Sequence, residues 1–180
     1  TVTWAPHLYT DIGWSNFSNW MHYGGLDNIL YTPNGKLHRL LTRLSFLNLL
    51  HPFQPFIIGQ RIIGPSMAKK FGIKLVMYGE NQAEYGNDIE DNKKPTMNPK
   101  FYSTVDPLDM KFGGITMREI IKNYNFTIGD FKPYIPLKLE DLETDSIEMH
   151  YLGYYLKWDP QECYYYAVEN TGFQANSERT

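Results

Sequence analysis

The sequence contains one cysteine, Cys163, so no internal disulfide bond can form. Nothing in this cysteine content indicates an oxidising compartment, and we expect a cytoplasmic protein. Basic residues are few as well: 17 Lys and Arg against 20 Asp and Glu give a net charge of −3. A nucleic acid partner requires clustered Lys and Arg, so this balance argues against one. No apolar run reaches the ~20 residues of a membrane helix, so we expect no membrane span.

Several well-known catalytic and cofactor motifs do not occur in this sequence. The five histidines are scattered singly, and there is neither an HExxH motif nor a cysteine pair, so we expect no metal site. A GxSxG nucleophile motif is missing, as are the GxGxxG and GxxxxGK glycine-rich loops. Aromatic residues, in contrast, are abundant at 16%. They suit ring stacking or a core, and we favour the core because buried aromatic side chains dominate core energetics.

Short apolar segments alternate with amphipathic segments of helical period. The predicted strands cover residues 1–5, 26–31, 73–78 and 147–156. The predicted helices cover residues 11–23, about 33–51, 57–71, 116–124 and 159–169. This alternation predicts parallel βαβ units in an open, mostly parallel α/β sheet with helices on both faces. We interpret residues 1–180 as a single α/β domain with a mobile polar excursion at about 87–99, where Asn, Asp, Lys and Pro are frequent.

Capping residues support most of these helix boundaries. The predicted N-caps are Asp11, Thr32, Thr116 and Asp159. Thr116 has a glutamate three residues later, which is the capping-box pattern. Within the third helix, Gly64 and Pro65 are expected to kink or divide it. The segment 73–78 is apolar throughout, which is typical of a strand buried on both faces.

Ligands of open α/β sheets bind at the carboxyl ends of the strands, which indicates the loops 6–11, 32–36 and 79–86. The last of these loops has glycines at both ends and two carboxylates, Glu80 and Glu84, which we take as candidate catalytic residues. An ordinary polar loop with two solvated glutamates would also fit this pattern.

Other residues, most of them near the predicted strand ends and one, Arg61, in the predicted third helix, are candidates for binding a nucleotide or substrate. They are His7, Tyr9, Asp11, Arg61, Gly79, Asn81, Tyr85, Lys157 and Asp159. Simpler structural roles compete for several of them. Asp11 and Asp159 would serve as helix caps, Tyr9 would pack, and the Arg61 guanidinium would hold a carboxylate across a helix interface instead of a phosphate.

Several stretches, in order along nearly the whole chain, resemble the N-acetyl sugar amidotransferases of lipopolysaccharide O-antigen and flagellar glycan biosynthesis. They include Ala-Pro-His-Leu-Tyr-Thr-Asp-Ile-Gly at 5–13, His-Pro-Phe-Gln-Pro-Phe at 51–56 and Tyr-Gly-Glu-Asn-Gln-Ala-Glu-Tyr-Gly at 78–86. Shorter or looser matches lie at 42–44 and 151–180. Gly79, Glu80, Asn81, Glu84 and Tyr85 match the family string, although the match gives no individual role to any of them.

The resemblance implies an adenine-nucleotide α-hydrolase-like fold of the PP-loop ATP pyrophosphatase type. It implies conversion of a sugar acetamido group to an acetamidino group, with ATP and Mg²⁺ as cofactors. Its implied partners are a glutaminase and a synthase-like subunit that supply ammonia, and an N-acetylated sugar nucleotide or glycan precursor. In the implied mechanism the amide oxygen attacks the α-phosphorus of ATP and releases pyrophosphate. Ammonia then displaces AMP.

The family's SGGKDS-type phosphate loop and its amino-terminal cysteine segment do not occur in this sequence. The resemblance therefore implies a fragment, truncated at both ends, that lacks the first strand of the fold and is inactive alone. Without that strand, the strands at 1–5 and 73–78 are expected either to pair directly or to remain in two half-sheets. Two alternatives stay open: another PP-loop activity such as tRNA thiolation, or a noncatalytic sugar- or partner-binding module.

Overall fold

Helices of amphipathic sequence and very short strands make up a mixed α/β structure. The computed structural model describes residues 1–6, 8–79 and 93–176. The helices are α1 Asp11–Gly24, α2 Gly35–Leu49, α3 Gln54–Phe71, α4 Met117–Tyr124, α5 Leu139–Asp145, α6 Leu152–Tyr155 and α7 Pro160–Thr171. The strands are β1 Val2–Trp4, β2 Ile29–Tyr31, β3 Leu75–Tyr78, β4 Ser103–Thr104, β5 Lys111–Phe112, β6 Ile115–Thr116, β7 Leu137–Lys138 and β8 Glu148–Tyr151.

The four predicted strands form two parallel pairs. β1 pairs with β2, with Val2 opposite Ile29, and β3 pairs with β8, with Leu75 opposite Glu148. Within the described residues these pairs are separate two-stranded sheets, which is the second of the two arrangements expected from the resemblance. The prediction of an α/β chain with parallel strands is confirmed, but the described residues do not complete one open sheet. The remaining pairs, parallel β4–β7 and antiparallel β5–β6, were not predicted from their two-residue strands.

Helix α3 contacts both parallel pairs. At Gly59, a Cβ atom would lie 2.4 Å from the ring of Trp4 on β1, so this contact requires glycine. One and a half turns later, Gly64 faces Val76 of β3 and Met149 of β8. Pro65 lies inside the helix and does not divide it, so of the two outcomes predicted, a kink or a division, the division does not occur. α3 is therefore the element that the two half-sheets share.

Two apolar clusters form the core. The first joins β1, α2, α3 and α4 to the segment around residue 131, and its buried members are Trp4, Leu37, Leu41, Leu44, Ile63, Phe112, Met117, Ile120, Phe131 and Tyr134. The second surrounds the β3–β8 pair, and its buried members are Ala68, Met97, Tyr102, Leu142, Ile147, Met149 and Tyr151. Aromatic rings occupy both clusters, but many other aromatic side chains are exposed, among them Trp14, Trp158 and Tyr165, so the core role that we favoured for the aromatic residues holds only in part.

Two helix caps differ from the prediction. The N-cap of α1 is Thr10, whose Oγ1 accepts a hydrogen bond from the Gly13 N–H at 3.0 Å, and Asp11 is the first helical residue. The N-cap of α2 is Asn34 and not Thr32. At α1 the cap lies one residue before the predicted position, and at α2 it lies two residues after it; in each case the side-chain oxygen accepts from the free N–H groups of the first turn. The capping box at Thr116 and the cap at Asp159 are confirmed.

The strands differ from the prediction in burial and length. Leu75 and Met77 of β3 are exposed, so this strand is not buried on both faces. β8 ends at Tyr151 and the chain turns directly into α6, although residues up to 156 were predicted as strand. The predicted surface excursion at 87–99 does not extend through residues 95–97, because Met97 is buried and donates its N–H to the Met149 carbonyl at 2.8 Å.

Candidate functional site

A cleft of about 680 Å³ opens where β1 and β2 end. The described lining residues are Ala5, Pro6, Thr32, Pro33, Gly35, His38, Arg39, Thr42, Arg43, Phe46 and Pro52. The pairing of β1 with β2 continues to the rim of the cleft, since the Ala5 N–H donates to the Tyr31 carbonyl at 2.9 Å. The cleft thus occupies the carboxyl ends of two parallel strands, at two of the three loops that the sequence predicted for ligand binding.

Helix α2 forms one wall of the cleft, and its sequence dictates which side chains point there. Leu37, Leu41 and Leu44 are buried on one face of the helix. Arg39 and Arg43, four residues apart, lie on another face and line the cleft. Both are exposed, and neither forms an ion pair with any residue that the structure describes.

The start of α2 is held by a small polar cluster. The Asn34 Oδ1 accepts from the Lys36 and Leu37 N–H groups at 3.0 and 3.4 Å, and its Nδ2 donates to Asp130 Oδ1 at 2.9 Å. Thr127 donates its backbone N–H and its hydroxyl to the other oxygen of Asp130. These hydrogen bonds from Thr127, assisted by Asn34, lower the pKa of the Asp130 carboxyl. Asp130 thereby stays ionised and anchors the helix start beside the cleft.

His38 brings an imidazole to the cleft wall from a half-buried position. Its Nδ1 lies 2.5 Å from the hydroxyl oxygen of Tyr134, and the two rings are nearly parallel. Tyr134 is fully buried, and this burial raises the pKa of its hydroxyl well above the usual value. The hydroxyl therefore keeps its proton at neutral pH and fixes the orientation of the imidazole.

The predicted residues near α1 have mainly structural surroundings. Tyr9 packs edge-on against Trp14, with ring centroids 5.0 Å apart, and partial burial raises the pKa of its hydroxyl. Asp11 is exposed in the first turn of α1. Neither residue is among the residues that line the cleft.

The other predicted residues in the described part lie at separate places. The Arg61 guanidinium stands over the Phe101 ring, 4.8 Å from its centroid. Gly79 follows β3 and is exposed, and Lys157 is exposed ahead of α7. Asp159 caps α7 by accepting from the Gln161 and Glu162 N–H groups at 3.0 and 3.2 Å, which supports its capping role.

Five predicted site residues fall outside the described residues: His7, Glu80, Asn81, Glu84 and Tyr85. Conversely, the sequence reasoning did not select Arg39, Arg43 or His38. A usable signal was present, since the two arginines have the spacing of neighbours on a helix that begins in a predicted ligand loop. The leucine stripe on the same helix, which was recognised, marks the opposite face.

The described residues contain neither a metal-binding cluster nor a membrane-spanning helix. No group of three or more His, Cys, Asp or Glu side chains is placed there to hold a metal ion. Nor is any helix in those ranges long and apolar enough to cross a membrane.

Comparisons with known proteins add no relative. No family model matches the chain, and no curated protein matches it.

Proposed function

We propose that this chain belongs to an ATP-dependent amidotransferase that converts the acetamido group of a sugar to an acetamidino group during surface glycan biosynthesis. The proposal begins from the sequence resemblance at residues 5–13, 51–56 and 78–86. The observation that carries it further is the cleft at the carboxyl ends of β1 and β2. This is the position at which parallel α/β proteins bind nucleotides.

The cleft suits the phosphates of ATP. Arg39 and Arg43 line it together with Thr32 and Thr42, and the Thr42 hydroxyl donates to the His38 carbonyl at 2.9 Å. Guanidinium groups bind phosphate oxygens through paired N–H donors. The described part of the chain offers no cluster of Mg²⁺ ligands, so the fit is to the phosphates alone. When bound, ATP would supply the adenylyl (AMP) group that activates the sugar amide.

The proposed chemistry consists of two displacements. The amide oxygen bonds to the α-phosphorus as the bond to pyrophosphate breaks, and ammonia then adds to the imidate carbon as AMP leaves. Side chains of this chain would orient the phosphates, exclude water and hold protons. Glu80 and Glu84 are the proposed acid–base or positioning groups, and His38 presents an imidazole at the cleft.

The test is an assay for pyrophosphate and AMP with the whole gene product, ATP, Mg²⁺ and an N-acetylated sugar nucleotide. Ammonium salt replaces the glutaminase partner in one arm, and the partner with glutamine supplies ammonia in the other. We expect pyrophosphate release that depends on both the sugar and ammonia, and a product whose mass is one unit lower, as exchange of oxygen for NH requires.

Two controls separate this activity from the alternatives. Transfer RNA with a sulfur donor replaces the sugar in one reaction, and ATP is omitted from the other. Pyrophosphate release only with transfer RNA would replace the proposal by a thiolation activity. Sugar binding without any nucleotide turnover would replace it by a noncatalytic binding module.

A further inference from the structure

The charge of the cleft is opposite to the charge of the chain. The whole sequence has a net charge of −3, but the described lining residues include Arg39 and Arg43 and neither Asp nor Glu. The nearby carboxylate of Asp130 is occupied by Thr127 and Asn34. A local excess of positive charge of this kind attracts anionic ligands.

The two guanidinium groups are spaced for adjacent phosphates. Four residues of α-helix advance about 6 Å along the axis, so Arg39 and Arg43 occupy successive turns of α2 on nearly the same face. Elsewhere in the described chain, Arg118 pairs with Asp106 at 3.2 Å and Arg61 stacks on Phe101. Arg39 and Arg43 have no such ion pair among the described residues, which leaves their N–H donors directed to the cleft and solvent.

The rest of the lining suits an organic body attached to the phosphates. Ala5, Pro6, Pro33, Phe46 and Pro52 give apolar surface on the walls. The volume of about 680 Å³ lies within the range of roughly 300–1,000 Å³ that is typical of small-molecule sites. A small inorganic anion alone would leave most of this space and all of the apolar surface unused.

We infer that Arg39 and Arg43 bind the phosphate groups of a nucleotide in this cleft, with the base or sugar against its apolar walls. The inference rests on the proposed function for the class of ligand, and it adds that the two arginines hold adjacent phosphates while the apolar walls hold the base or sugar. ATP and a sugar nucleotide both carry adjacent phosphate groups attached to an organic body. His38 and Thr32 lie in the same lining beside the two arginines.

Binding without turnover tests the inference. Isothermal titration calorimetry would compare ATP, UDP-N-acetylglucosamine and inorganic pyrophosphate against the wild-type chain and the variants Arg39→Gln, Arg43→Gln and the double variant. We expect each single variant to weaken nucleotide binding at least about 10-fold, because each removes charge-assisted hydrogen bonds. Higher salt should weaken wild-type binding more than double-variant binding. The nucleotide that binds more tightly identifies the source of the phosphates.

Arg118→Gln is the matched control, because it removes an exposed guanidinium, at 59% side-chain exposure, that does not line the cleft. We expect it to bind like the wild type. Circular dichroism and thermal midpoints should show that all variants fold, since Arg39 and Arg43 are exposed. Arg43→Lys should recover only part of the affinity, because an ammonium group lacks the paired donors of guanidinium.

Wild-type affinity in the double variant, or no binding of any of the three probes by the wild-type chain, would overturn the inference. These results are distinguishable from failure of the proposed function. Arginine-dependent nucleotide binding without sugar-dependent pyrophosphate release would keep the inference and remove the amidotransferase. Amidation that survives unchanged in the double variant would keep the amidotransferase and remove the inference about the two arginines.

Discussion

The Nδ1 atom of His38 and the hydroxyl oxygen of Tyr134 lie 2.5 Å apart, and their rings are within 7° of parallel. Tyr134 also packs against Trp4, whose ring centroid is 5.3 Å away, and Trp4 in turn lies against Gly59. A side chain at the cleft wall is thereby connected to the centre of the first core cluster. The contact between His38 and Tyr134 therefore couples the geometry of the cleft to the packing of β1 on α3.

Tyr134→Phe should release the imidazole of His38 while leaving the ring stack in place. The loss of one hydrogen bond at a half-buried group is expected to cost about 1 kcal/mol of unfolding free energy. Nitrogen-15 spectra of His38 should also change, because the buried hydroxyl no longer biases the tautomer of the ring. Urea unfolding and these spectra are the measurements.

Tyr31→Phe is the control for that experiment. Tyr31 stacks on the same Trp4, with ring centroids 5.9 Å apart, but its hydroxyl has no hydrogen bond among the described residues. It should leave both the stability and the His38 spectrum unchanged. Equal effects of the two variants would show that the hydroxyl of Tyr134 does not hold His38.

Local signals in the sequence predicted five of the seven helices in the described residues, but α5 was missed and α6 lies in a segment that was predicted as strand. The stripe of Leu37, Leu41 and Leu44, the capping box at Thr116 and the cap at Asp159 each report on a few neighbouring residues, and each is found in the structure. The short strands β4 to β7 escaped prediction, because a two-residue strand carries no period. The exposure of β3 depends on which distant elements pack over the strand, and a local sequence pattern does not predict this.

The candidate site was predictable by location but not by residue. Strand ends and loops indicated Pro6 and Thr32, and both line the cleft. Arg39 and Arg43 were missed because their role depends on how α2 is rotated against β1 and β2. Asp159 was assigned to binding as well as to capping, and the structure shows the capping bonds. A carboxylate before a proline fits both roles equally in sequence.

Gly59→Ala should destabilise the fold. The added methyl group would lie 2.4–2.5 Å from three atoms of the Trp4 ring, which is buried and packed on Tyr134. Overpacking of this kind costs about 1–3 kcal/mol, more than the up to ~1 kcal/mol that alanine gains over glycine in a helix. Chemical denaturation of the variant and of the wild type measures the difference in their free energies of unfolding.

Gly35→Ala provides the comparison, since this glycine begins α2 and nothing lies within 4 Å of its added methyl. The same substitution should therefore be neutral or slightly stabilising there. If Gly59→Ala also proves neutral, then Trp4 does not pack on α3 as described.

The Asp130 carboxylate should make stability depend on acid pH. Hydrogen bonds from Thr127 and Asn34 lower its pKa in the folded chain below the unfolded value of about 3.9. The contribution of Asp130 to folding stability is thus complete above pH ~4 and is lost as the pH falls through the lower pKa of the folded chain. Asp130→Asn should lower the thermal midpoint at pH 7, and the gap from the wild type should narrow below pH ~4. A gap that stays constant from pH 7 to pH 3 would contradict this account.

Glu80→Gln and Glu84→Gln test the loop that the sequence singled out, which lies outside the described residues. Both substitutions preserve size and remove a carboxylate from the loop that the sequence predicts for ligand binding, so we expect folding not to depend on them. In the whole gene product we expect each variant to keep its thermal midpoint within a few degrees. At least one should lose about 100-fold in the rate of pyrophosphate release, the lower end for an acid–base or positioning group. Glu162→Gln, on the exposed first turn of α7, is the matched control and should retain the full rate. Full activity in both loop variants would mean that the two glutamates are merely solvated, and the catalytic group would then have to be sought among the residues of the cleft, with His38 first.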